Sequence, residues 1–326
     1  MIPERPTEAD LLYLIQSEGS QAEALFEKAD QVRERTKGNL VNVRAIIEFS
    51  NRCRRNCTYC GLNCMNAALT RYAMEPEEII ATAIEAHEAG YKTVVLQSGE
   101  DPYYTTDMLC YIISSIKEQT GMAVTLSSGE MSETDYAIIR QSGCDRYLLK
   151  HETADFDLYS RLHPDHSFTE RVDCLRTLKR LGFETGGGFM VGLPGQRVET
   201  IVDDLLLIAS IPCDMAGIGP FIPHPQTELK NANPGNTFLT RKAVALARLL
   251  LPDANLPATT SLGVRSKSER DKIFSGGANV IMKKVTPPKY RALYEIYPVK
   301  HGKIKSVAEE RAEVNRLITS LGRDYD

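Results

Sequence analysis

Apolar runs and stretches with helical spacing alternate along most of the chain. Residues 43–49 are mostly apolar and predict a strand, whereas residues 75–89 place Ile79, Ile80 and Ala83 on one helical face. By the same patterns we predict eight strands, at residues 43–49, 93–96, 123–126, 146–149, 185–193, 215–222, 257–262 and 278–282. Helices are predicted between them at residues 75–89, 105–120, 132–143, 155–182, 198–210, 240–251 and 267–274.

This alternation predicts the fold class. Strands that alternate with helices favour a parallel sheet, and eight strands can close into a TIM-type barrel. We predict an α/β protein with a complete (βα)8 barrel at residues 41–285, and a doubly wound open sheet is the alternative. Residues 1–40 predict an N-terminal helical extension, and residues 286–326 a C-terminal tail ending in a helix. We expect a single domain over residues 1–326, although the length also allows two domains of about 150 residues each.

Composition limits the classes of partner. The 326 residues are 42% apolar and 25% charged, as in ordinary globular proteins. The net charge of −4 and the lack of a basic stripe argue against nucleic acid as a partner. No apolar segment is long enough for a membrane span, and the N-terminus lacks a signal-peptide pattern, so we expect a cytoplasmic protein without membrane contact. In a reducing compartment the eight cysteines favour metal ligation and buried thiols over disulfides.

Three cysteines just after the first strand are the main chemical signal. Cys53, Cys57 and Cys60 have the spacing C-x3-C-x2-C. Three thiolates can hold three irons of a 4Fe–4S cluster, which leaves the fourth iron open for an outside ligand. An open iron can chelate the amino and carboxylate groups of S-adenosylmethionine (SAM). The alternative is a structural zinc site with Cys64 as fourth ligand, in which case the protein would be a zinc-stabilised binding barrel and not an enzyme.

Polar residues at strand ends are the candidate SAM ligands. Glu100 could bind the ammonium group, Glu152 the ribose hydroxyls, and Arg171 the carboxylate. The structural alternatives are a solvated glutamate at a turn and a plain salt bridge between Glu152 and Arg171. The candidate set for cofactor binding is Tyr59, Gln97, Ser98, Gly99, Glu100, Glu130, Glu152 and Arg171.

Further polar residues predict a pocket inside the barrel. Thr125, Arg146, Thr259 and Thr260 lie within predicted strands, and Tyr294 lies in the tail. Buried polar groups need partners, so several that converge would form a site for an anion or a polar substrate. Each threonine taken alone is more often structural, because threonine is common in strands.

The cysteine spacing, with Tyr59 directly before the last cysteine, resembles the radical SAM superfamily. A closer likeness is to the HydE family, the radical SAM maturases of the iron–iron hydrogenase active site. The stretches that carry it are NCTYCGL at 56–62, LQSGEDPY at 96–103, RYLLKHET at 146–153, GLPGQ at 192–196, GIGPFIPHP at 217–225, PATT at 257–260 and GANVIM at 277–282.

This likeness implies a complete barrel with one 4Fe–4S cluster, held by Cys53, Cys57 and Cys60, and SAM in contact with Glu152 and Arg171. It implies that Thr125, Arg146, Thr259, Thr260 and Tyr294 line a substrate cavity. The implied substrate is a small molecule or an iron–cysteine complex carrying carbon monoxide and cyanide.

Other hydrogenase maturases are the implied partners, namely a second radical SAM enzyme and a scaffold GTPase, together with an external electron donor. No cysteine follows Cys213, so the second cluster of many members should be missing. Lys150 stands where many members have arginine. The alternative enzyme is a radical mutase acting on lysine, as in the related methylornithine synthase.

Overall fold

The computed structural model describes residues 2–299 and 305–326, so residues 300–304 of the predicted tail lie outside it. The strands are β1 (Leu40–Ser50), β2 (Thr93–Ser98), β3 (Ala123–Ser127), β4 (Arg146–Leu148), β5 (Glu184–Gly187), β6 (Met190–Val191), β7 (Met215–Ala216), β8 (Gly219–Pro220), β9 (Pro257–Ala258), β10 (Val280–Lys284) and β11 (Asp324–Tyr325). The α-helices are α1 (Glu8–Ile15), α2 (Gly19–Lys37), α3 (Pro76–Glu88), α4 (Thr106–Thr120), α5 (Glu133–Gln141), α6 (Phe156–Leu162), α7 (Phe168–Arg180), α8 (Val198–Ser210), α9 (Thr237–Leu250), α10 (Thr260–Arg265), α11 (Lys267–Lys272), α12 (Pro288–Arg291) and α13 (Val307–Ser320).

Eight parallel strands form the barrel. Their order is β7-β5-β4-β3-β2-β1-β10-β9, and a parallel bridge between Met215 and Asn255 joins the two ends. The predicted (βα)8 barrel is therefore confirmed, and the open sheet is wrong. Such a barrel carries its chemistry on the loops that follow the strands.

Strand β1 supplies the inner wall and leads to the cysteine loop. Its inward-facing residues, Arg44, Ile46 and Glu48, line the central cavity at the alternate positions that strand geometry requires. Glu48 pairs with Gln97 of β2, but Ser50 pairs with Ser98, so Phe49 is one extra residue in β1. This bulge lies where the strand ends and the loop begins.

Two predicted strands are interrupted. Residues 185–193 divide into β5 and β6, and residues 215–222 divide into β7 and β8. Strands β6 and β8 pair with each other as a separate two-stranded sheet. Between β5 and β6, Phe189 instead bridges to Glu152 in the loop after β4. Gly188 allows this break, because a Cβ atom there would lie 2.3 Å from the carbonyl oxygen of Gly217.

The terminal segments pack on the outside and bottom of the barrel. Helices α1 and α2 contact α8 and α9, and they bury Leu11, Ile15 and Leu25 completely. Each such side chain stabilises the fold by about 1.5–3 kcal/mol. The prediction missed the short strand β11, which pairs with the start of β1. None of the helices in residues 2–299 and 305–326 is long and apolar enough to cross a membrane.

Candidate active site at the top of the barrel

The three cysteines lie on the loop that follows β1, at the carboxyl end of the barrel. Cys53 and Cys60 line the central cavity, and Cys57 lies between them on the same loop. The backbone N–H of Arg54 donates to the carbonyl oxygen of Glu100 at 3.0 Å, and that of Gly61 to Ile296 at 2.9 Å. These bonds tie the loop to the end of β2 and to the C-terminal tail.

Gly99 permits close packing beneath this loop. A Cβ atom at position 99 would lie 2.3 Å from the carbonyl oxygen of Arg52 and 2.7 Å from Cβ of Cys53. Only glycine fits such an approach, because any other side chain would displace the loop. The glycine of the Ser98-Gly99-Glu100 motif therefore has a packing role as well as a place in the cavity wall.

The electrostatics of the thiols suit a positively charged metal group. Burial raises the pKa of Cys53, raises that of Cys57 well above its usual range, and raises that of Cys60 to about 12. The neighbouring sulfurs Cys53 and Cys60 raise the pKa of Cys57 further by mutual repulsion. Bound iron would lower the pKa of these thiols, since metal ligation stabilises thiolates. The residues present therefore fit a cluster.

Cys64, the fourth ligand in the zinc alternative, is exposed and does not line the cavity that Cys53 and Cys60 face. Within the described residues, one group of three His, Cys, Asp or Glu side chains brings its ligand atoms within 4.8 Å of one another: Glu100, Glu130 and His166. That group contains no cysteine.

The cavity extends from the cysteine loop into the barrel and has a volume of about 350 Å³. Most of the predicted site residues converge on it. Those that line it are Cys53, Tyr59, Cys60, Gln97, Ser98, Gly99, Thr125, Glu152, Arg171, Thr259, Thr260 and Tyr294. Cys57, Glu100, Glu130 and Arg146 do not.

Glu100 points away from the central cavity. Its Oε2 atom accepts from Nε of Arg54 at 3.1 Å and also from Arg55, while Oε1 accepts the backbone N–H of Glu130 at 3.1 Å. With Glu130 it lines a second cavity outside the barrel wall. The predicted contact between this carboxylate and the SAM ammonium therefore has no support in this geometry, because arginines of the cysteine loop already pair with it. The adjoining Ser98 and Gly99 do line the central cavity.

Glu130 holds the Arg171 side chain in place. Nε of Arg171 donates to Oε1 of Glu130 at 2.6 Å, and the buried ring of His166 lies 3.4 Å from Oε2. Burial alone would raise the pKa of Glu130, but His166, Arg171 and Arg55 outweigh it and lower that pKa to about 2. The predicted alternative, a salt bridge between Glu152 and Arg171, is not formed. Arg171 is held by Glu130 and still reaches the cavity.

Glu152 has an unusual backbone. Its φ is 67°, the one positive value at a non-glycine position among the described residues. The N–H of Thr153 donates to the carbonyl oxygen of His151 at 2.8 Å, so Glu152 is the central residue of a tight γ-turn. Such a conformation costs about 1–3 kcal/mol and persists only when the surroundings fix it. The turn places the Glu152 carboxylate on the cavity wall, 2.9 Å from Nζ of Lys150.

The arginine that lines the lower part of the cavity is not the predicted one. Arg146 does not line the cavity, because its Nε atom donates to Glu184 at 2.6 Å. Besides Arg171, a second buried arginine lines the cavity, namely Arg44, which sequence analysis did not select. The signal was available, since Arg44, Ile46 and Glu48 alternate within one predicted strand.

Thr259 and Thr260 were assigned to a strand, and this is wrong. Strand β9 ends at Ala258, Thr259 is the residue before α10, and Thr260 begins that helix. Both still line the cavity. The buried hydroxyl of Tyr294 accepts from Nε2 of Gln97 at 3.1 Å, which joins the tail to β2.

Comparison with known proteins matches residues 47–208 to the radical SAM superfamily. The chain is 52% identical over 304 residues to the [FeFe] hydrogenase maturase subunit HydE of Thermotoga maritima, covering 92% of this chain and 86% of the relative. It is 30% identical over 286 residues to 3-methylornithine synthase of Methanosarcina barkeri, covering 86% and 80%. The crystal structure of methylornithine synthase (PylB) covers 99% of this chain and 94% of its own, with a TM-score of 0.88 and 27% identity. The family match at residues 47–208 includes the cysteine loop.

Proposed function

Because the chain belongs to the radical SAM superfamily and, within it, to the family of the [FeFe] hydrogenase maturase HydE, we propose that it acts on an organometallic precursor of the hydrogenase diiron site. The protein is a radical SAM enzyme whose cofactors are a 4Fe–4S cluster and SAM. When bound and reduced, the cluster would supply the one electron that cleaves SAM to methionine and a 5′-deoxyadenosyl radical. The single observation that carries the proposal is the three-cysteine loop, which opens directly onto a cavity inside the barrel that several charged side chains line.

The site residues fall into three proposed groups. Cys53, Cys57 and Cys60 hold three irons. Near the loop, SAM is surrounded by Tyr59, the 97–99 segment, Glu152 and Arg171. The Glu152 carboxylate accepts hydrogen bonds from the ribose hydroxyls, and the Arg171 guanidinium pairs with the SAM carboxylate. Deeper in the barrel, the substrate contacts are Thr125, Thr259, Thr260 and Tyr294 together with Arg44 in place of Arg146.

The barrel interior suits a small polar substrate. Lys284 pairs with the buried Glu48 at 2.7 Å on one side, and Lys150 pairs with Glu152 on the other. Charged groups in the low dielectric of a protein interior discriminate strongly among polar ligands. We propose an iron–cysteine complex carrying carbon monoxide and cyanide as the substrate. Its source would be a partner radical SAM enzyme, its acceptor a scaffold GTPase, and the electron source an external donor in the cytoplasm.

A lysine mutase is the second candidate, because the methylornithine synthase structure matches the whole barrel. The maturase is favoured by the higher identity, 52% against 30%. The test is to incubate reconstituted enzyme, SAM and dithionite separately with L-lysine and with the synthetic iron–cysteine complex. We expect 5′-deoxyadenosine formation to rise with the iron complex and not with lysine. Methylornithine among the products would reject the maturase.

A further inference from the structure

Asp204 is a fully buried carboxylate that the proposed chemistry does not use. It lies on the inner face of α8, among the buried residues Ile201, Leu205 and Ile208. A carboxylate in such surroundings is costly unless it is hydrogen-bonded. Its partners therefore show what the residue does.

One oxygen of Asp204 holds both sides of the γ-turn at Glu152. Oδ1 is hydrogen-bonded to Nε2 of His151 at 3.0 Å and accepts the backbone N–H of Ala154 at 2.5 Å. His151 and Asp204 have no exposed side-chain surface. Burial lowers the pKa of His151 to about 3, so the imidazole is neutral, and burial raises the pKa of Asp204 well above its usual range.

The other oxygen reaches residues 186–196, which carry five glycines and are called the glycine-rich loop below. Oδ2 accepts from Nε2 of Gln196 at 3.4 Å. That amide also donates to the carbonyl oxygen of Met190 at 2.8 Å, and its Oε1 accepts the N–H of Gly192 at 2.6 Å. Met190 lines the cavity, so one carboxylate joins two segments of the cavity wall.

These contacts account for the strained backbone of Glu152. The N–H of Glu152 donates to Gly188 at 3.1 Å, and its carbonyl oxygen accepts from Met190 at 3.1 Å. Those two bonds fix the turn to the glycine-rich loop, and Asp204 fixes the residues before and after it. A glutamate with positive φ is strained, so its backbone keeps this conformation only when neighbouring contacts hold it. If these contacts were lost, the backbone would relax and the carboxylate would move.

We propose that Asp204 is a positioning residue, which holds the γ-turn so that the Glu152 carboxylate faces bound SAM. This inference rests on the proposed contact between Glu152 and SAM. Asp204 itself touches neither SAM nor the reacting atoms. The competing explanation is that Asp204 only stabilises the packing of α8 on the barrel.

A double-mutant cycle separates the two explanations. The variants are Asp204→Asn, Glu152→Gln and the double variant, each reconstituted with its cluster and checked for iron content. The dissociation constant of SAM is measured from the change it causes in the EPR spectrum of the reduced cluster. The matched control is Asp203→Asn, which removes a carboxylate from the adjacent, exposed position of α8.

We expect Asp204→Asn to weaken SAM binding about tenfold in the parent protein and less than about twofold in the Glu152→Gln background. Asp203→Asn should leave the dissociation constant unchanged. Equal weakening in both backgrounds, or lower thermal stability with unchanged SAM binding, would overturn the inference. If Asp204→Asn does not fold, His151→Gln replaces it, with the same expectation of non-additivity.

The same data test the proposed function separately. If Glu152→Gln binds SAM as tightly as the parent, the SAM contact is wrong and the positioning role falls with it. If Glu152→Gln weakens binding while Asp204→Asn does not, the SAM contact stands and only the role of Asp204 is rejected.

Discussion

Nε of Arg171 donates to Oε1 of Glu130 at 2.6 Å, although only the arginine reaches the central cavity. A second bond runs from Nη1 of Arg171 to the carbonyl oxygen of Lys150 at 3.1 Å. The guanidinium is thus fixed from two loops before any ligand binds. Such preorganisation lowers the entropy lost when a carboxylate ligand is bound.

Glu130→Gln should lower the free energy of unfolding by about 2 kcal/mol at neutral pH, because it weakens charge-assisted hydrogen bonds to arginines. The folded pKa of about 2 lies below the ordinary value of 4.5. The stabilisation is therefore complete above about pH 4.5 and is lost as pH falls towards 2. Urea unfolding of cluster-free protein between pH 6 and pH 3 measures this. A difference between parent and variant that stays constant over that range would contradict the assignment.

Cys57→Ala should abolish SAM cleavage and lower iron content, because two thiolates cannot hold a 4Fe–4S cluster stably. The matched control is Cys213→Ala, which removes a buried thiol that lies outside the cysteine loop. It should cost about 1 kcal/mol of stability and leave SAM cleavage intact. Iron analysis and 5′-deoxyadenosine formation measure both. Normal cleavage by the Cys57 variant would show that the ligand assignment is wrong.

Glu152→Gly and Glu152→Ala should differ in stability although both remove the carboxylate. At a φ of 67° alanine retains the steric strain that glycine lacks, and the difference is about 1 kcal/mol. We expect the glycine variant to unfold at the higher denaturant concentration. Loss of the Lys150 ion pair is common to both variants and cancels. Equal stability, or a more stable alanine variant, would mean that the turn is not strained.

Gly99→Ala should reduce cluster incorporation, because its methyl group would overlap the Arg52 carbonyl and the Cys53 side chain. Iron content after anaerobic reconstitution measures this. Gly19→Ala is the control for backbone strain alone, since no atom lies within 4 Å of its added Cβ but its φ is 53°. It should lower stability and leave the iron content unchanged. Full iron loading of Gly99→Ala would show that the cysteine loop tolerates displacement.

The barrel could be predicted because period-two and helical patterns are local properties of the sequence. The cysteine spacing likewise defined the loop after β1. The predicted strand at 185–193 is interrupted at Gly188. The next residue, Phe189, pairs with Glu152 from the loop after β4. This contact joins residues that are distant in sequence, so no local pattern predicts it.

Side-chain direction at strand ends was the other difficulty. Glu100 follows β2 as predicted, but Arg54 and Arg55 of the cysteine loop draw its carboxylate outwards.

Asp204 was missed although its signal was local. It is an acidic residue among Ile201, Leu205 and Ile208, on the face that α8 buries. A charged residue at such a position predicts a buried hydrogen-bonding role.

The extra residue in β1 has a consequence for mutational tolerance. Deleting Phe49 would restore an uninterrupted ladder with β2, which is locally the more regular arrangement. It would also shorten the connection to the cysteine loop by one residue and remove a buried ring that packs edge-on against Tyr104. A protein shortened in this way should therefore bind less iron on reconstitution, so one inserted residue couples the barrel wall to the metal site.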